Sequence, residues 1–164
     1  MKKLSDGSPN EVVQKALRVS YDGLDNEVKK IFLDIACFLK GESEEFVKEL
    51  LESYGFYSTY GMETLKDKAL ITVAVSGEVE MHDLIQEMGH QIVREQNIDE
   101  PGKRTRLWDP NEICDVFKKC EVRNQKTLCT LVLKLNFSIM SRNIIMFYIF
   151  SLLLYFILFT GGKC

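Results

Sequence analysis

A chain of 164 residues, 46 % hydrophobic and 27 % charged, has the make-up of an ordinary soluble domain with a core of its own. Its formal charge of −3 hides a split: residues 127–164 contain no Asp or Glu and only Lys134, Arg142 and Lys163, so 18 cations face 24 acids in residues 1–126, a net −6 there. That acidic body argues against a nucleic-acid partner, because phosphate neutralisation needs clustered Lys and Arg.

The N-terminus, MKKLSDGSPNE, has no apolar run of the kind a cleaved signal peptide needs. Asn10 can cap a first helix to about Tyr21, with Val12, Val13, Ala16, Leu17 and Tyr21 as its apolar positions, and Asp22-Gly23 breaks it. In DNEVKKIFLDIACFLKG, residues Val28, Ile31, Phe32, Ile35, Ala36 and Leu39 recur at helical spacing and form one face, widened by Cys37 and Phe38. Asp25 or Asn26 can cap this helix, and Gly41 can close it in the left-handed conformation. Ser43 can cap a shorter helix with Phe46, Val47, Leu50 and Leu51 inside, ended by Tyr54-Gly55. A further helix is expected over Ser58–Leu70, buried through Met62, Leu65 and Ala69, with Glu63, Lys66, Asp67 and Lys68 outside.

The period then changes. Ile71, Val73 and Val75 alternate with Thr72 and Ala74, which suits a half-buried strand. Ser76-Gly77 offers a tight turn, and Glu78–Met81 can return as a second strand. In "MHDLIQEMGHQIVRE" (81–95), Leu84, Ile85, Met88, Ile92 and Val93 fall on one helical face. Asp83 with Gln86 three residues on has the form of a capping box, so the joint can be explained by helix stability alone, as can a helix-start role for His82. His90 and Arg94 read as a solvated face. Gln96–Leu107 reads as a polar loop in which Lys103, Arg104 and Arg106 are solvated, or available to an acidic surface, and Trp108 packs the loop on the core. "DPNE" starts a last helix: Asp109 caps it, Pro110 fits the first position, and Glu112 stands at the capping-box position. Ile113, Val116, Phe117 and Cys120 form its inner stripe.

Three helices, a two-stranded wing and further helices describe a mainly α, winged-helix fold, a helix-turn-helix variant with a small β-hairpin. The expected division is 1–22 as the end of a preceding helical subdomain or connector, 23–120 as the winged-helix domain, and 121–164 as a divergent hydrophobic tail, expected to be helical. Within that tail, 144–160 has 15 apolar residues in 17. As a helix it would span about 25 Å, near the lower limit for a bilayer. It admits two readings: a membrane anchor, with the preceding cations keeping the body in the cytosol, or a stretch that is no evolved element of the domain. The five cysteines form no C-x-x-C pair, and two histidines cannot complete a zinc set, so no metal is expected and reduced thiols in the cytoplasm are the default.

"ALRVSYDGLD", "KKIFLDIACF", "MHDLIQEMGHQIVRE" and "PGKRTRLWDP" occur in this order and spacing. The chain in this respect resembles the plant intracellular nucleotide-binding leucine-rich-repeat disease resistance proteins, in the wording of their TIR-bearing branch, over roughly residues 11–120. The resemblance implies the winged-helix end of the NB-ARC switch module. It implies that Met81, His82 and Asp83 match the Met-His-Asp motif, with His82 contacting the β-phosphate of ADP and Asp83 helping to latch the inactive arrangement. The partners it implies are the other subdomains of an intact receptor. No G-x-x-x-x-G-K-[ST] phosphate loop and no leucine-rich repeat occur in these residues. The expectation is therefore a non-catalytic regulatory piece that holds ADP weakly by itself. The alternatives are a tail-anchored membrane protein with a winged-helix interaction head, and a DNA-binding winged helix. The latter is disfavoured by the balanced charges of Ser58–Leu70.

Overall fold

A computed structural model describes residues 9–121. Nearly all of them lie in one compact unit that ends at Val116. Six α-helices and one hairpin follow in chain order: α1 Pro9–Asp22, α2 Asn26–Asp34, α3 Glu44–Ser53, α4 Ser58–Asp67, β1 Thr72–Val73, β2 Val79–Glu80, α5 Asp83–Gln96 and α6 Pro110–Glu121. The expected mainly helical, winged-helix architecture is what forms. The apolar run 144–160 lies outside the described residues; among those described, no helix is long and apolar enough to cross a membrane.

The helix starts follow their capping side chains. Asp25 Oδ1 accepts from the N–H groups of Glu27 and Val28, Ser43 Oγ from Phe46, and Asp109 Oδ1 from Asn111 and Glu112. α2 carries the most deeply buried stripe. Val28, Ile31 and Phe32 are fully inside, Phe32 stands 5.3 Å from the Tyr21 ring, and α4 and α5 pack against the same helix. Each such aliphatic or aromatic side chain contributes roughly 1.5–3 kcal/mol by leaving water, so this stripe organises the core. Phe38 and Phe46 are half-buried against it, as core residues rather than an aromatic platform.

Three local features differ from the expected pattern. The continuous helix over the IACFL stretch does not form. Ile35–Leu39 is instead a turn of π-helix, with the Lys40 N–H reaching back to Ile35 O, 3.1 Å. α4 stops at Asp67, and Ala69, expected inside, is exposed with φ 53°. The hairpin is shorter than its alternating residues suggest: Val73 pairs with Val79 and Thr72 with Glu80, while Val75 stands fully in solvent. Gly77, φ 86°, turns it. The second side of β2 is covered by the 41–44 segment, where Gly41 N–H donates to Val79 O (2.7 Å) and Val79 N–H to Glu42 O (2.8 Å). The wing thus hangs on the end of the π-turn.

Candidate functional site

Burial alternates through the end of β2 as it does in any half-buried strand. Val79 and Met81 point inward and are almost wholly buried, while Glu80 and His82 are exposed. Met81 is thereby a core anchor, and it places His82 at the surface where α5 begins. His82 keeps extended backbone angles, φ −61° and ψ 140°, and its carbonyl accepts from Ile85 and Gln86. Its ring Nδ1 accepts from the Leu84 N–H at 3.1 Å. The capping box expected from Asp83 and Gln86 does not form. Asp83 is already the first helical residue, and His82 takes the cap. A neutral imidazole whose Nδ1 accepts carries its proton on Nε2. The N–H groups of Leu84, Ile85 and Gln86 are thus taken by His82 itself, and what the helix start offers outward is the positive end of a helix dipole and one ring N–H donor.

Asp83 turns to Lys40, whose Nζ stands 2.7 Å from Oδ1. That hydrogen bond holds the Asp83 carboxyl below the usual carboxylate range. With the carboxylate side chain 91 % exposed, the pair is solvent-screened and does more to orient than to stabilise. Lys40 also donates to Gln86 Oε1, 2.9 Å, and Gln86 Nε2 donates to Ala36 O, 3.0 Å. Lys40 was not legible as part of this joint from the sequence, and Gln86, expected in a capping box with Asp83, instead links Lys40 to the Ala36 carbonyl. The one signal was the spacing of Asp83, Gln86, His90 and Arg94, which form a polar stripe on the helix.

The lower half of that stripe is not a solvated face. His90 Nε2 meets Ala36 O at 3.1 Å, and its ring stacks on Trp108, centroids 4.4 Å apart and planes 17° apart. The Arg94 guanidinium lies over the same indole at 5.2 Å. Trp108 is half-buried against the core, as expected. Two of the three cations in the loop before it are not solvated either. Arg104 is buried, bonded to Glu112 at 2.7 Å and to the carbonyls of Asn97 and Ile98. Arg106 bonds Asp34 at 2.7 Å and Lys30 O at 2.8 Å. Of the three cations only Lys103 is exposed, beside Glu100. The residues between α5 and α6 thus form a strap fastened by Arg104, Arg106 and Trp108. Among the described residues no three His, Cys, Asp or Glu side chains converge as metal ligands.

The architecture defines a winged-helix domain with a histidine-capped helix after the wing. Residues 25–97 match the winged-helix domain of Roq1-like disease resistance proteins. The chain is 49 % identical to the disease resistance protein RPV1 of Vitis rotundifolia over 115 residues, 70 % of this chain and 8 % of that protein. It is 48 % identical to RUN1 of the same species over 104 residues, 63 % of this chain and 8 % of that protein. With the TMV resistance protein N of Nicotiana glutinosa it shares 41 % over 114 residues, 70 % of this chain and 10 % of that protein. The matched stretch therefore spans about a tenth of these relatives or less.

Proposed function

We propose that this chain carries the winged-helix part of a nucleotide-dependent switch in a cytosolic plant defence receptor, and that His82 senses the terminal phosphate of ADP held mainly by other subdomains. The observation that carries the reading is the cap: with Nδ1 engaged by the Leu84 N–H, the exposed ring presents Nε2–H beside a helix N-terminus. Nothing in the arrangement supplies a nucleophile and a base, so the role is to sense, not to react. ADP would favour the closed arrangement only by its difference in affinity between the two states. Relatives that are disease resistance proteins support the defence context.

The test compares His82→Asn with His82→Ala in a full-length receptor carrying this domain. Asn is a strong N-cap and preserves the helix start, but it lacks the imidazole donor. Faster ADP release from both variants supports the reading. ADP retention by His82→Asn equal to that of the parent sinks it. The 164-residue chain alone should show only weak ADP binding by calorimetry, and micromolar affinity would contradict the assignment of most contacts to other subdomains.

A further inference from the structure

The Ala36 carbonyl sits at a crossing of three elements. In a regular helix it would accept from the Lys40 N–H four residues on. Here that N–H goes to Ile35 O, in π register, and the Gly41 N–H goes to Val79 O on the wing. Neither returns to Ala36. Its oxygen instead takes two side chains from α5, Gln86 Nε2 at 3.0 Å and His90 Nε2 at 3.1 Å. Gln86 leads by Lys40 to Asp83, beside the His82 cap. His90 leads by its stacked ring to Trp108 in the strap.

We propose that the π-turn Ile35–Leu39 is a two-register element that couples the Met81–His82–Asp83 joint to the docking of the Trp108 strap, through the Ala36 carbonyl that Gln86 and His90 share. In the π register the carbonyl is open to α5, both side chains are held, and the strap is stacked. Return to the α register hands the carbonyl to the Lys40 N–H. That single exchange removes the acceptor from Gln86 and His90 and moves Lys40, the anchor of Asp83. Because Gly41 and Glu42 hold Val79, the same shift also pulls on the strand that leads into Met81. A bistable turn of this kind is what coupling between distant groups requires, beyond mere proximity. The coupling is a property of these contacts and holds whether or not His82 binds a phosphate.

Trp108 is the only tryptophan of the chain, so its fluorescence reads the strap directly. The experiment uses the 164-residue chain without nucleotide. Gln86→Leu, which takes the Gln86 amide away from the Ala36 carbonyl, is expected to shift the emission to the red and raise acrylamide quenching, with the docked population falling about five-fold or more. Arg106→Gln, which loosens the strap, is expected to move the His82 ring resonances, because coupling is reciprocal. In both, the carbonyl carbon of Ala36 and the amide of Lys40 should shift together. Folding is checked by circular dichroism, and if Gln86→Leu does not fold, Lys40→Met, at a half-buried position, takes its place with the same expected result. A folded variant whose Trp108 emission and quenching match the parent overturns the proposal, as does an Arg106→Gln protein with unmoved His82 resonances.

Discussion

The Arg104 guanidinium lies 2.7 Å from the Glu112 carboxylate with only 3 % of its side chain exposed, and its other N–H groups go to the carbonyls of Asn97 and Ile98. One cation thus closes the strap at both ends. Removing it leaves a partly buried carboxylate and two carbonyls without their donor, which costs more than the pair itself contributes. Arg104→Met should lower stability by about 3 kcal/mol, read as a lower urea midpoint. Glu112→Gln keeps an acceptor for Arg104 and should cost less. Equal losses in the two variants would assign the effect to charge alone and not to the orphaned groups.

Gly89 faces the turn that carries Ala36. A Cβ at position 89 would stand 2.6 Å from Ala36 Cβ and 3.3 Å from Phe32 Cε1. Helix propensity favours alanine there by about 1 kcal/mol. Overpacking against a backbone-fixed methyl costs about 1–3 kcal/mol, so the clash wins and Gly89→Ala should destabilise. Gly61 provides the contrast. Its added Cβ would meet Ile31 Cδ1, the far end of a side chain but one packed fully inside, so Gly61→Ala should destabilise by less than Gly89→Ala. Thermal melts of both variants decide it, and a stabilised Gly89→Ala would refute the packing argument.

These contacts mark where sequence stops being sufficient. Asp25, Ser43 and Asp109 could be read as caps, because capping is set by residue type within three positions. The stripe of α2 could be read because its period is local. The π-turn could not: IACFL is apolar throughout and contains no residue that distinguishes i+5 from i+4 bonding. Nor could the arginine contacts, since Arg106 and Asp34 are 72 residues apart and a basic run in a loop is ordinarily solvated. The site joint was half legible. Its residues could be named, but capping was assigned to Asp83 on residue preference, whereas strand alternation through Met81 turns the His82 ring to the cap.

Cys37 lies at the back of the π-turn, half-buried, and burial pushes its thiol up to about 12. Thiolate is the reacting form, so alkylation by iodoacetamide at pH 8 should be far slower in the native chain than in urea. Mass spectrometry of the Cys37 peptide measures it. Fast native labelling would mean that the Ile35–Leu39 turn opens readily.

Stability should fall in two steps on acidification. Burial lowers the His90 imidazole below its ordinary range, with the Ala36 contact opposing and Arg94 adding to the depression. A depressed value favours the neutral ring in the folded state, so this contribution is complete above about pH 6.5 and is lost as pH falls through the folded value. Asp25 is lowered chiefly by the Val28 N–H, Glu44 by Lys48 and Lys66, and Asp83 by Lys40. Their contributions persist to about pH 4 and vanish below it. Urea midpoints followed from pH 8 to pH 3 should show both steps. His90→Gln, which can still donate to Ala36 O, should erase the first and keep the second. An unchanged slope between pH 7 and pH 5 in that variant would remove His90 from the account.

Ala69 closes α4 with φ 53°, exposed to solvent and with its N–H bonded to Lys66 O at 2.9 Å. An L-residue in this left-handed conformation carries a steric cost of roughly 1–2 kcal/mol between Cβ and the following carbonyl. Glycine avoids it but loses about 0.5–1 kcal/mol more entropy on folding. The first effect is the larger, and no packing is given up, because the methyl is in water. Ala69→Gly should therefore stabilise the chain by roughly 0.5–1 kcal/mol, against the usual direction of that exchange in a helix. Ala69→Val, whose branched side chain tolerates positive φ least, should destabilise. A urea midpoint that falls for glycine would show that residue 69 does not hold the left-handed conformation in solution, and with it the tight exit from α4 into the wing would have to be redrawn.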